Sequence, residues 1–214
     1  VKRHPFLLFI LLITALACKS STLTETFTPS GGILYQDNFA NAESGWGEKV
    51  LEAGAAGYAD GAYRIVVNQP NVNLWSRPGH SFAAARVEVA VFPAAGPLEN
   101  RMGVVCRLVD DRNFYFFAIS ADGFYGIGKM KQGQVFILTG NGAMLPSDVI
   151  RTGNVPNQVR GDCVGSLLNM YINDQLVASA EDSDFTSGDI GVLAGTFSQP
   201  GADVYFDNFF VLKP

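Results

Sequence analysis

Histidine is nearly missing from this chain. There are two in 214 residues, His4 and His80. That scarcity argues against a zinc site, which draws its ligands mainly from Cys and His, and the cysteines have no close spacing either. A Ser-His-Asp triad would have to use His80. It stands in Arg77-Pro-Gly-His-Ser81, which reads as a loop without the glycine pattern of a nucleophile elbow. Charge is sparse too: 16% of the residues are Asp, Glu, Lys or Arg, and the net charge is -5. No basic cluster is present, which argues against nucleic acid and against electrostatic docking on anionic lipid. The phosphate loop and the dinucleotide fingerprint are both absent. No apolar run reaches the roughly 20 residues that cross a bilayer as a helix. No repeat of solenoid or propeller period is found.

What is present begins with an export pattern. Lys2, Arg3 and His4 precede an apolar run from Phe6 to Ala17, broken only by Thr14. This has the length of a signal-peptide core. Ala15-Leu16-Ala17-Cys18 then reads in two ways. Ala15-x-Ala17 suits ordinary signal peptidase. Small residues before Cys18 resemble the bacterial lipoprotein box, although Leu16 stands one place later than the usual leucine. The favoured expectation is lipidation at Cys18, with residues 1–17 as signal peptide and 18–32 as a flexible Ser/Thr-rich tether. That makes the protein exported, lipid-anchored, and placed at the cell envelope or outer surface, with the membrane as a partner through the N-terminal lipid. Without Lys2 and Arg3 the mature chain carries a charge of about -7.

Lipidation of Cys18 also resolves an odd cysteine count. Cys106 and Cys163 remain, both in apparent strands, and an oxidising compartment lets them bridge. Two separate buried thiols are the alternative.

From residue 33 to 214 the chain reads as a single all-β domain. Low charge, 23 Gly and 16 Phe suit strands better than helices. Tyr63, Ile65 and Val67 share one face of a run. So do Val87, Val89 and Val91, with Arg86 and Glu88 opposite. Phe114 to Ile119 is apolar on both faces, which marks a central strand. Ala121-Asp-Gly123, Lys131-Gln-Gly-Gln134 and Asn173-Asp174 are hairpin-turn signals. Twelve to fourteen strands at this spacing predict a two-sheet antiparallel sandwich, a jelly roll.

The order of motifs resembles the concanavalin A-like lectin/glucanase superfamily. More narrowly, it is similar to the 3-keto-disaccharide hydrolase and family-16-glycosidase-like domains. The likeness rests on Asp37-Asn-Phe39 with Ser44-Gly-Trp46, and on Gly61-Ala-Tyr63-Arg-Ile65 leading to Trp75. It continues through Gly103-Val-Val-Cys-Arg107, Asn113-Phe-Tyr115 and Asp122-Gly-Phe-Tyr125. It ends with Asn157 to Cys163, Tyr171-Ile-Asn173, Gly188-Asp-Ile-Gly191 and Val204 to Phe209. The resemblance implies that first and last strands pair, with Phe39, Phe209 and Trp46 in the core. Asp37 and Asp207 would then cap turns, or alternatively share a structural Ca²⁺.

Resembling glucanases carry Glu-x-Asp-x-x-Glu on one strand, a carboxylate pair for retaining hydrolysis. This chain has no such motif. Glu88, Asp110-Asp111 and Glu181-Asp182 read as solvated or turn-forming, so no catalytic residue is assigned. A binding surface is read instead. If Cys106 faces inward, Arg107 faces outward, joined by Tyr115, Tyr125 and Lys129 on neighbouring strands, with Trp75 and Arg77 at the rim. Phe117 is apolar company for the same surface. The leading expectation is a module binding a glycan or cell-surface polysaccharide. A hydrolase or lyase of the same fold, and an envelope or adhesion protein without small ligand, are the other readings.

Overall fold

The computed structural model describes residues 32–214. Cys18, the signal and most of the tether lie outside the described residues. The described chain is built from seventeen strands, and no helix occurs among the described residues.

The chain starts in one sheet, sheet A, with β1 (Ile33–Asp37), β2 (Lys49–Leu51), β3 (Gly54–Ala59) and β4 (Ala62–Val67). It crosses to sheet B for β5 (Asn73–Ser76) and β6 (Ser81–Phe82), then returns for β7 (Ala85–Ala95). Sheet B next takes β8 (Asn100–Asp110), β9 (Asn113–Ile119), β10 (Phe124–Lys131), β11 (Gln134–Ile137) and β12 (Leu145–Pro146). Sheet A gains β13 (Asn157–Val164), β14 (Leu167–Ile172) and β15 (Gln175–Glu181). β16 (Gly188–Thr196) completes sheet B and β17 (Ala202–Leu212) completes sheet A.

Sheet A has the order β15-β14-β13-β7-β17-β4-β3-β2, with β1 also on β17. Sheet B has the order β11-β10-β9-β8-β16-β5, with β12 on β10 and β6 on β16. Every pairing is antiparallel. This is the expected jelly roll. The strand count exceeds the sequence estimate because β2, β6 and β12 are too short to show alternation.

Alternation builds the core between the sheets. Val87, Val89 and Val91 of β7 meet Met102, Val104 and Cys106 of β8 and Tyr115, Phe117 and Ile119 of β9. The sheets approach closely at Gly161, where a Cβ would sit 2.2 Å from the Phe117 ring. Cys106 and Cys163 form a disulfide that ties β8 to β13 across the two sheets. Phe39, Trp46 and Phe209 are core residues, as expected. Asp37 pairs with Phe209 where β1 meets β17. The three expected turns all form. Asn173 and Asp174 both have positive φ, as do Gln132 and Gly133, which fits type I′ hairpins.

Candidate functional site

The outward face of sheet B follows by parity from its inward face. Met102, Val104 and Cys106 point into the core, so Arg101, Gly103 and Val105 point out. On β9 the outward residues are Phe114, Phe116 and Ala118, and on β16 they include Leu193. These side chains form a second apolar cluster with Val105, Leu108 and Met130, against which Trp75 and Ile137 pack. Phe116 lies across β10 where Gly128 offers no side chain: a Cβ there would be 2.3 Å from the ring. The centre of the face is therefore apolar and filled.

Two depressions flank that centre. One, of about 310 Å³, opens at the edge where β2 and β3 of sheet A meet β5, and is lined by Lys49, Leu51, Ala56, Leu74, Trp75 and Asp111. Trp75 packs on Phe114 with ring centroids 5.1 Å apart, and its indole N–H donates to Asp111 Oδ1 at 3.4 Å. Arg77 reaches the same Asp111 at 3.8 Å and Asp189 at 4.0 Å. Burial pushes the Asp189 carboxyl up from its ordinary value.

The other depression, of about 380 Å³, mixes apolar and polar walls. Phe124, Ile137, Met144 and Phe197 supply rings and aliphatic surface, while Glu99, Arg101, Ser120 and Asp122 supply polar groups. The Arg101 guanidinium lies 3.8 Å from the Phe197 ring centre and donates to Asn73 Oδ1 at 3.0 Å. Ser120 donates its hydroxyl to Asp122. Burial alone pulls the Arg101 pKa below its usual value. Asn73 and Trp75 stand two residues apart on one face of β5, so the depressions are neighbours along that strand.

The six residues expected to form one surface are divided by the sandwich. Trp75 and Arg77 do sit at the edge of the outward face. Tyr115, Tyr125 and Lys129 do not join them. In the strand register Cys106 pairs with Tyr115 and Tyr115 with Lys129, and directly paired residues share a face. Because Cys106 is inward, Tyr115 and Lys129 are inward as well, and so is Phe117, a core residue. Tyr115 is fully buried. Its hydroxyl donates to Asp182 Oδ1 at 2.6 Å and accepts from the Phe185 N–H at 3.1 Å. Burial, reinforced by Asp182, pushes the Tyr115 hydroxyl up to about 12. Tyr125 is nearly buried and donates to the Val177 carbonyl. Lys129 pairs with Asp182 and Asp184. Burial pulls the Lys129 pKa down, but those two carboxylates outweigh it and hold it above its ordinary value.

Arg107 does not join the outward face either. It has positive φ at a bulge between Cys106 and Asp110, which breaks the simple alternation. Its side chain is buried and donates to the carbonyls of Ala83, Gly165 and Phe185, a structural clamp. Glu88 is not solvated either. It is 6% exposed on the outward face of sheet A, accepts from Gln158 and lies opposite Arg160, and burial raises its pKa. Asp110 does form the expected turn, accepting the Arg112 N–H at 2.7 Å.

Asp37 is a turn and core acceptor. It takes hydrogen bonds from the Phe39 N–H, the Trp46 indole and the Tyr35 hydroxyl. Asp207 accepts from Asn208. Among the described residues, no three His, Cys, Asp or Glu side chains gather around a common point. A Ca²⁺ shared by Asp37 and Asp207 would thus need carbonyl or water oxygens for the rest of its ligands.

Arg101, Phe124 and Phe197 were missed in the sequence. Parity counted from an inward Cys106 places Arg101 outward, and Tyr125 inward would have placed Phe124 outward. Phe197 follows β16 in a loop and leaves no periodic signal.

No protein-family model matches the chain, and no curated protein is similar to it in sequence. Solved structures are similar in fold. A carbohydrate-binding module, CBM66, from Bacillus subtilis superposes with a TM-score of 0.56 at 18% identity, covering 87% of this chain and 99% of that one. A protein of unknown function with galectin-like fold from Bacillus subtilis gives 0.63 at 12% identity, covering 86% and 96%. A β-glucanase from Bacillus licheniformis gives 0.61 at 12% identity, covering 87% and 100%. The fold is thus a two-sheet antiparallel jelly roll, shared with a carbohydrate-binding module and a β-glucanase.

Proposed function

We propose that this protein is an exported carbohydrate-binding module that holds a glycan on the outward face of sheet B. The observation that carries this reading is the depression of about 380 Å³ beside Arg101. Apolar ring surface there meets a fixed guanidinium and two carboxylates, the combination that packs a sugar's C–H face and orients its hydroxyls. The structurally similar CBM66 is by its description a carbohydrate-binding module, which supports the reading. The narrower likeness to 3-keto-disaccharide hydrolase and family-16-glycosidase-like domains belongs to the same proposal. A glycan array with residues 31–214 tests it. Saturable binding to a polysaccharide class, weakened by Phe124→Ala, is expected. No binding to any glycan overturns it.

The second reading is a glycoside hydrolase, favoured by Glu99 and Asp122 lining one pocket. Both carboxylates are exposed. A hydrolase closes its carboxylates in a water-excluding cleft around the scissile bond, and exposed side chains do not form one. We therefore place binding ahead of hydrolysis. Release of reducing sugar by the wild type, abolished in Glu99→Gln, would reverse that order.

The anchor is proposed on sequence grounds. Cys18 carries lipid and residues 19–32 tether the sandwich to the envelope. Mass spectrometry of the mature N-terminus tests this, and an unmodified Cys18 or cleavage elsewhere overturns it.

A further inference from the structure

Arg101 differs from Arg64, Arg77, Arg86 and Arg160 in its company. Arg64 is paired with Asp203, Arg77 with Asp111 and Asp189, and Arg86 and Arg160 with Asp162. Arg101 is half-buried, yet among the described residues its one hydrogen-bond acceptor is the neutral Asn73. The ring of Phe197 stacks on it and fixes its plane. A guanidinium carries five N–H donors, so most of those on Arg101 have no protein acceptor. A stacked, oriented fork of this kind matches a planar carboxylate in a bidentate pair, and it is held with little entropy left to lose. The rest of the pocket has the opposite character. Glu99 and Asp122 accept hydrogen bonds and repel a second negative charge, so they call for O–H donors.

We infer, building on the carbohydrate-binding reading above, that this pocket takes an acidic sugar. A uronate residue places its carboxylate on the Arg101 fork, its hydroxyls on Glu99 and Asp122, and its apolar face against Phe124.

The test is calorimetric titration of the full-length protein with a panel of uronate oligosaccharides. Each is matched with its carboxyl-reduced neutral counterpart and with a sulfated oligosaccharide of similar length. A charge-assisted bidentate pair predicts at least about tenfold tighter binding of a uronate than of its reduced partner. Arg101→Gln brings the two to the same affinity. Arg101→Lys, which keeps the charge and loses the fork, retains only part of the difference. Thermal melts verify that each variant is folded, and the wild-type comparison decides even if a variant fails to fold. Equal affinity for uronate and reduced forms overturns the inference and leaves the carbohydrate reading intact. Tighter binding of the sulfated sugar overturns the carboxylate assignment. Absence of binding to every glycan, neutral ones included, overturns both.

Discussion

Asp182 gathers a lysine and a tyrosine at one carboxylate. Lys129 and the Tyr115 hydroxyl both donate to it at the margin of the core. Burial pushes the Asp182 carboxyl up, but those two donors outweigh it and hold it below the ordinary range. Asp184 is lowered mainly by its hydrogen bonds from Lys129 and Lys131. A carboxyl lowered in the folded state contributes stability that is fully present above its unfolded pKa of about 3.9, and that is lost as pH falls through the folded value. Asp182→Asn is therefore expected to destabilise the protein by about 1–3 kcal/mol at pH 7. The difference from wild type should shrink progressively as pH falls below about 3.9. Urea unfolding at both pH values checks this. Gly161 makes a second prediction at this scale. Alanine there places a Cβ 2.2 Å from the Phe117 ring, so the sheets must part or the ring must move. Gly161→Ala should cost about 1–3 kcal/mol, read from the shift in the unfolding midpoint.

Hairpins and core strands were legible because alternation and turn chemistry are local. Asn173-Asp174 marks its turn by residue type alone, and Val87, Val89 and Val91 mark the inward face of β7. The bulge in β8 was not legible. Nothing local tells that Arg107 adopts positive φ, or that Tyr115 pairs with Cys106 rather than with a residue of opposite parity. That one register decides whether Tyr115 and Lys129 line a surface or close an interior, and register is set by the whole sheet. The disulfide links this same β8 to β13. Its 57-residue separation predicts that reduction, or Cys106→Ala with Cys163→Ala, costs roughly 4 kcal/mol in the chain-entropy model. Chemical unfolding with and without reductant measures the loss, and free thiols in non-reducing peptide maps would contradict the bridge.

At the scale of the molecule, the jelly roll has two outward faces, and they differ in kind. Sheet A presents cross-strand ion pairs such as Arg64 with Asp203 and Arg86 with Asp162. Sheet B presents an apolar centre flanked by the Trp75 and Arg101 depressions. The all-β class was legible in period and turns. The ligand face was not, because it joins β5, β8, β10 and a loop residue from distant parts of the sequence. Trp75→Ala should leave the fold intact and weaken a long oligosaccharide more than a short one that fills only the Arg101 pocket, a difference that calorimetry resolves. The most direct test of the whole account is amide hydrogen exchange with and without the best-binding glycan. Protection is predicted in residues 99–102, 120–124 and around Phe197. Protection confined to the outward face of sheet A, or no glycan that protects any amide, would contradict it.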